Sequence, residues 1–241
     1  MKQYLLTTLA FLAVLWSQTL SAQSNFKLTE VPYVGALSED PSQDWTAGWT
    51  SFDPVNAAYP DPTDTVTLNG MLASLPLRGE LNITNTLTLD NSKVYLLKGL
   101  VVVRSGGKLV IPAGTVIRAH ADLNSSPKNY GSLVVERGGQ IEIEGESNAP
   151  VVFTSSKPAG QRNRGDWGGI LIAGRSTHNL LNGTDNNNVQ MEGFNNVSFD
   201  NTLARFGGND VNDNSGSITY LRIEFGGVAF EANKEINGFT L

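Results

Sequence analysis

The twelve residues from Leu100 to Ile111 recur 32 positions later, from Ser132 to Ile143, and no other feature limits the possible folds so tightly. Val101-Val102-Val103 reappears as Leu133-Val134-Val135, Gly106-Gly107 as Gly138-Gly139, and Leu109-Val110-Ile111 as Ile141-Glu142-Ile143. Two short strands joined at a glycine corner, and then repeated, predict coils stacked as a solenoid. If Leu109 and Ile111 point inward, Val110 points outward, and the next coil replaces it with Glu142. Apolar residues are kept at the inward positions while the outward one turns polar, as stacking requires. Arg104 and Glu136 are also equivalent, and are expected to form an exposed ion pair worth at most ~1 kcal/mol. The glycine pairs mark corners that need a positive φ or the absence of a Cβ.

Composition agrees with a strand-and-turn chain. The 241 residues include 25 glycines and only 17% charged side chains, whereas a helical protein would be richer in Ala, Glu, Lys and Leu. The net charge is −6, the pI is near 4.9, and no run of basic residues is present. Nucleic acid and anionic membrane surfaces are therefore not expected partners. The chain has no cysteine, which excludes disulfides, thiolate metal sites, cysteine nucleophiles and a lipid-modified cysteine.

Residues 1–22 read as a secretory signal: Lys2, a mostly apolar run from Leu5 to Trp16, and the small-residue exit Thr19-Leu20-Ser21-Ala22. The apolar run is about a dozen residues, short of the ~20 that a membrane span needs. Cleavage near Ala22 would release an exported chain with no span. Residues 23–75 lack the repeat and carry prolines at 32, 41, 54, 60 and 62, which forbids a long helix and suits an irregular capping segment. Trp45 and Trp49 lie in it, either as a glycan-stacking platform or as part of a cover over the solenoid end. Residues 76–241 read as strands: Leu81–Ile83, Leu87–Leu89, Val94–Val103, Thr115–Ile117, Val151–Thr154, Gly169–Ile172 and Ile218–Phe225. Coils of roughly 30 residues without helix or a leucine-rich signature point to an all-β chain, a parallel β-helix. The alternative is a β-sandwich, whose strands would not repeat a twelve-residue pattern in register.

The same residues carry a resemblance. Tyr95-Leu96-Leu97-Lys98-Gly99, Pro112-Ala113-Gly114-Thr115-Val116-Ile117, Val152-Phe153-Thr154-Ser155-Ser156-Lys157-Pro158-Ala159-Gly160, Arg164-Gly165-Asp166-Trp167-Gly168-Gly169 and Tyr220-Leu221-Arg222-Ile223-Glu224-Phe225-Gly226-Gly227 look like a group of exported bacterial proteins. This sequence resembles the right-handed parallel β-helix surface proteins of the Bacteroidota, many of them similar to cargo of the type IX secretion route. The resemblance spans about residues 33–241. It implies a secreted or outer-cell-surface setting and brings no activity with it. Members of the group usually continue through more coils into a C-terminal sorting domain. Here the sequence stops at Leu241 inside an expected strand, so a partial chain is expected.

Candidate chemistry is sparse. Asp210, Asn212 and Asn214 place oxygen side chains at alternating positions, a pattern that can surround calcium. Glycine arrives one place later than in an EF-hand loop, and the twelfth position is Leu221 rather than Glu. The competing reading is an Asx-turn loop leading into the Ile218 strand. Glycoside cleavage needs two acids ~5–9 Å apart across a cleft. Glu142 and Glu144 share one outward face, whereas Asp166, Glu192, Asp210 and Glu224 are scattered, so no catalytic residue is assigned. His120 and His178 are isolated, without zinc or triad spacing. Arg164-Gly165-Asp166 matches a cell-attachment tripeptide but reads as the start of a coil. The expectation is a non-enzymatic, secreted or surface β-helix with a structural, adhesive or glycan-contacting role. Its expected partners are extracellular polysaccharide or cell-surface components, with calcium as the one candidate ion. The alternative is a polysaccharide lyase or glycoside hydrolase on the same scaffold.

Overall fold

A computed structural model describes residues 40–62, 80–124, 130–178, 189–192, 205–231 and 234–241. The expected signal segment lies outside them. The chain divides into two compact units, residues 1–45 and 46–241. In the first, the described residues form a 3-10 turn at Pro41–Gln43, whose N-terminus is bonded by the Asp40 carboxylate.

The second unit is a stack of coils, each contributing one strand to each of three parallel sheets. The first coil has β1 (Glu80–Ile83), β2 (Thr86–Thr88) and β3 (Val94–Lys98). The second has β4 (Leu100–Val103), β5 (Lys108–Pro112) and β6 (Val116–His120). The third has β7 (Ser132–Val135), β8 (Gln140–Glu144) and β9 (Val151–Ser155). The fourth begins with β10 (Ile170–Ile172) and is interrupted by an insertion holding β11 (Val189–Gln190) and β12 (Arg205–Phe206), which pair antiparallel. It resumes with β13 (Gly216–Thr219) and β14 (Leu221–Ile223). An antiparallel hairpin follows, β15 (Val228–Glu231) with β16 (Lys234–Ile236), and β17 (Phe239–Thr240) then adds to β10.

The stacking follows the repeat. Val103 pairs with Val135, and Ile111 with Ile143, in parallel register. The 32-residue interval holds only between β4 and β7 and between β5 and β8. β1 and β4 are 20 residues apart (Glu80 to Leu100), while β7 and β10 are 37 apart (Leu133 to Ile170). Loops at the corners absorb these differences, so the strands stay in register while coil length changes.

Inward residues form one continuous core, with Leu109, Ile111, Ile117, Leu133, Ile141, Ile143 and Phe153 fully buried. Phe153 and Trp167 stack with ring centroids 5.9 Å apart. The three sheets differ on their outer faces. The first sheet, β1-β4-β7-β10-β17, is buried on both sides along β4, β7 and β10. Its outward Val102, Val134 and Leu171 pack with Met191 and with Val228 and Ile236 of the β15–β16 hairpin. That double burial explains why Val101–Val103 and Leu133–Val135 are continuously apolar instead of alternating. The second sheet, β13-β8-β5-β2, alternates and faces solvent, with Lys108 paired to Glu142 at 2.5 Å. The third, β14-β9-β6-β3, carries polar residues on its outer face under a strap from residues 50–62.

Arg104 and Glu136 do pair, at 2.9 Å, but the pair is largely buried rather than exposed, with side chains 19% and 14% accessible. Asn82 of the preceding coil accepts from Arg104 Nε, and Glu136 also accepts from the Ser105 amide at 2.7 Å. Three coils thus contribute to one polar stack.

Candidate functional site

Strand alternation on the third sheet builds an extended polar cluster. In β6 and β9 the inward side chains are Ile117, Ala119, Val151 and Phe153, which leaves Arg118 and Thr154 facing outward. The register sets Arg118 beside Thr154, and Glu224, just past β14, continues the row. Arg222 faces outward two residues before Glu224 and is ion-paired with it. Glu224 also accepts from Thr154 Oγ1 at 2.8 Å and from the Tyr59 hydroxyl at 2.8 Å. Tyr59 in turn accepts from Arg222 Nη2 at 2.6 Å. Burial, and then the hydrogen bond to and negative charge of Glu224, push ionisation of the Tyr59 phenol well above its ordinary range.

Two buried arginines complete the attachment of the strap. Arg162 donates Nη1 to the carbonyls of Pro54 (2.8 Å) and Ala57 (2.7 Å), and its guanidinium lies 4.8 Å from the centre of the Tyr59 ring. Arg118 donates to the carbonyls of Ser156 and Lys157, both at 2.8 Å, and pairs with Asp61 at 2.7 Å. Tyr59, Asp61, Arg118, Ser156 and Arg162 line a cavity of about 280 Å³ between strap and sheet. Asp166 is buried nearby and accepts from Ser155 Oγ (2.6 Å), Lys157 Nζ (2.6 Å) and the Asn163 amide (2.8 Å). Buried charges held this fully act as internal fasteners. The buried carboxylates Glu224 and Asp166 are engaged in this way, whereas Asp61 at the cavity rim pairs with Arg118 through one oxygen and is otherwise open to solvent.

A family model described as a pectate-lyase like beta helix domain matches residues 81–241, from the first strand to the last. The chain belongs to that family. No curated protein and no solved structure matches it. The pectate-lyase like domain is an all-β, right-handed parallel β-helix, the hand that parallel crossovers almost always take.

Within this β-helix domain the oxygen-bearing residues singled out in the sequence bond locally. Asp210, Asn212 and Asn214 sit in the loop before β13. Asp210 Oδ1 accepts from the Asn212 amide at 3.0 Å, and Asn214 Oδ1 from the Gly216 amide at 2.8 Å. Asp213 bonds the Arg175 amide at 2.7 Å and its Nε at 3.1 Å, which ties the loop to the end of β10. Among the described residues, no group of three or more His, Cys, Asp or Glu is placed to hold a metal ion. Trp45 is 60% exposed in the first unit. Trp49, in the second, meets Tyr220 edge to face, with centroids 5.6 Å apart. Asp166 of the attachment-like tripeptide is buried in its hydrogen bonds, so the tripeptide is part of the coil start and not a displayed loop. Among the described residues, no helix is long and apolar enough to cross a membrane.

In the sequence Glu224 stands only as one of several scattered acids, and no motif points to Tyr59, Arg118 or Arg162. The alternation Val116-Ile117-Arg118-Ala119 does reveal an outward arginine. Nothing local in the sequence connects Tyr59 to Glu224, 165 residues away.

Proposed function

We propose that this member of the pectate-lyase like family is an exported, non-enzymatic β-helix that serves a structural, adhesive or glycan-contacting role at the outer cell surface. The observation that supports this reading is the state of its buried ionisable groups. Glu224, Asp166, Arg118 and Arg162 are engaged in bonds within the chain, and those bonds fasten strap, sheet and coil corners. A solenoid with such an internally fastened frame offers a long rigid surface whose outward residues vary freely, which suits an extended ligand. The signal-like residues 1–22 and the resemblance to Bacteroidota surface proteins favour export, with type IX secretion as the route. Calcium at Asp210, Asn212 and Asn214 belongs to the same proposal as a stabilising ion. A melting temperature that rises with calcium and falls with chelator supports it, and no shift removes it.

One observation favours a second reading: the family description names a polysaccharide lyase. Incubation with acidic and neutral polysaccharides decides between the two. Release of unsaturated or reducing ends, lost on heat denaturation, establishes an enzyme. Intact polysaccharide after prolonged incubation supports the scaffold role.

A further inference from the structure

The corner between β13 and β14 is built in an unusual way. Tyr220 occupies it with φ at 43°, in the left-handed region that an aromatic residue rarely adopts. Two coils earlier the register along the third sheet gives this position to Gly114, at φ 76°, a conformation that glycine adopts freely. The corner is nevertheless held firmly. Tyr220 O accepts from the Val151 amide at 3.0 Å, and Thr219 Oγ1 donates to the carbonyls of Ile143 (3.1 Å) and Gly145 (3.0 Å). Gly145 lies so close beneath the Tyr220 backbone that a side chain there would collide with it. Tyr220 as a residue stays 43% exposed, and its ring meets that of Trp49 in a T-shaped contact.

We propose that Tyr220, braced by Trp49, is a stacking site for a pyranose ring of a neutral polysaccharide. A partly exposed aromatic ring held in place in advance gives contact area to the apolar face of a sugar with little loss of side-chain freedom. Charge sets the preference. Glu144 is the register partner of Thr219, and Glu146 follows Gly145; both are exposed carboxylates beside the corner. They disfavour a polyuronate and leave a neutral sugar, whose hydroxyls they can accept from. The site therefore takes a different ligand class from the acidic one in the family description. This inference rests on the glycan-contacting reading above.

Affinity electrophoresis of the full chain through gels containing xylan, mannan, hydroxyethylcellulose or polygalacturonate tests it. At least one neutral gel retards the protein, more strongly than polygalacturonate does. Tyr220→Gly and Tyr220→Asn, both compatible with the left-handed corner, weaken that retardation about tenfold or more, while Tyr220→Phe keeps it. Circular dichroism and melting establish that each variant is folded, and two substitutions guard against one that is not. Ring-less variants retained as well as the parent overturn the Tyr220 site and leave the glycan reading standing. A parent that prefers polygalacturonate overturns the neutral class. A parent retarded by no polysaccharide removes both the site and the glycan-contacting role.

Discussion

At the glycine pairs of the repeat, Gly106-Gly107 and Gly138-Gly139, two different physical demands fall on neighbouring residues. Gly106 has φ at 81° with open space around it, so a methyl group there meets only backbone strain. Gly107 lies against the Ile83 carbonyl of the coil beneath, where a Cβ has no room. Gly106→Ala should therefore cost about 1 kcal/mol, whereas Gly107→Ala should cost more than about 2 kcal/mol, as read by urea denaturation. Tyr59 gives a prediction in pH. Its bonded form is the neutral phenol, held neutral first by burial and then by Glu224, so its folded-state pKa is raised. The resulting stability is fully present below about pH 10, where an unfolded tyrosine titrates, and is lost as pH rises toward the folded value. Tyr59→Phe should be about 1–1.5 kcal/mol less stable at pH 7, with the gap to the parent closing above about pH 10.

Among the larger pieces, the strap shows how a segment without regular structure can be fixed. Residues 50–62 have no strand of their own, and their carbonyls are satisfied in part by a side chain from the opposite side of the interface, Arg162. Arg162→Ala leaves the Pro54 and Ala57 carbonyls without that donor. It should destabilise the domain by about 2–3 kcal/mol and bring new protease cleavage within residues 50–62, seen by mass spectrometry of early fragments. The solvent-facing second sheet should be far more tolerant. Glu142→Gln breaks the half-exposed pair with Lys108 and should change stability by less than about 1 kcal/mol.

For the molecule as a whole, what the sequence revealed was what repeats. The strand registers, the inward core and the Arg104–Glu136 partnership could be read because each coil supplies the template for the next. Two covers could not be read this way. The second apolar layer over Val102 and Val134 comes from Met191 and the β15–β16 hairpin, which match nothing in the earlier coils. The polar strap joins residues more than a hundred positions apart, such as Arg162 and Pro54, and no local period encodes that. The degree of burial of Arg104 and Glu136 was missed for a similar reason, since it depends on neighbours in a third coil. The stacked core itself should respond as a packed interior: Ile111→Ala should cost about 2–5 kcal/mol. The most direct test uses the absence of native cysteine. In the double variant Val110→Cys with Glu142→Cys, the new thiols sit on register-paired positions of adjacent strands, at the ~4.8 Å separation a disulfide tolerates. Under mild oxidation the account predicts near-complete intramolecular disulfide formation, measured by free-thiol titration and peptide mapping; two thiols that stay free in the folded protein would contradict it.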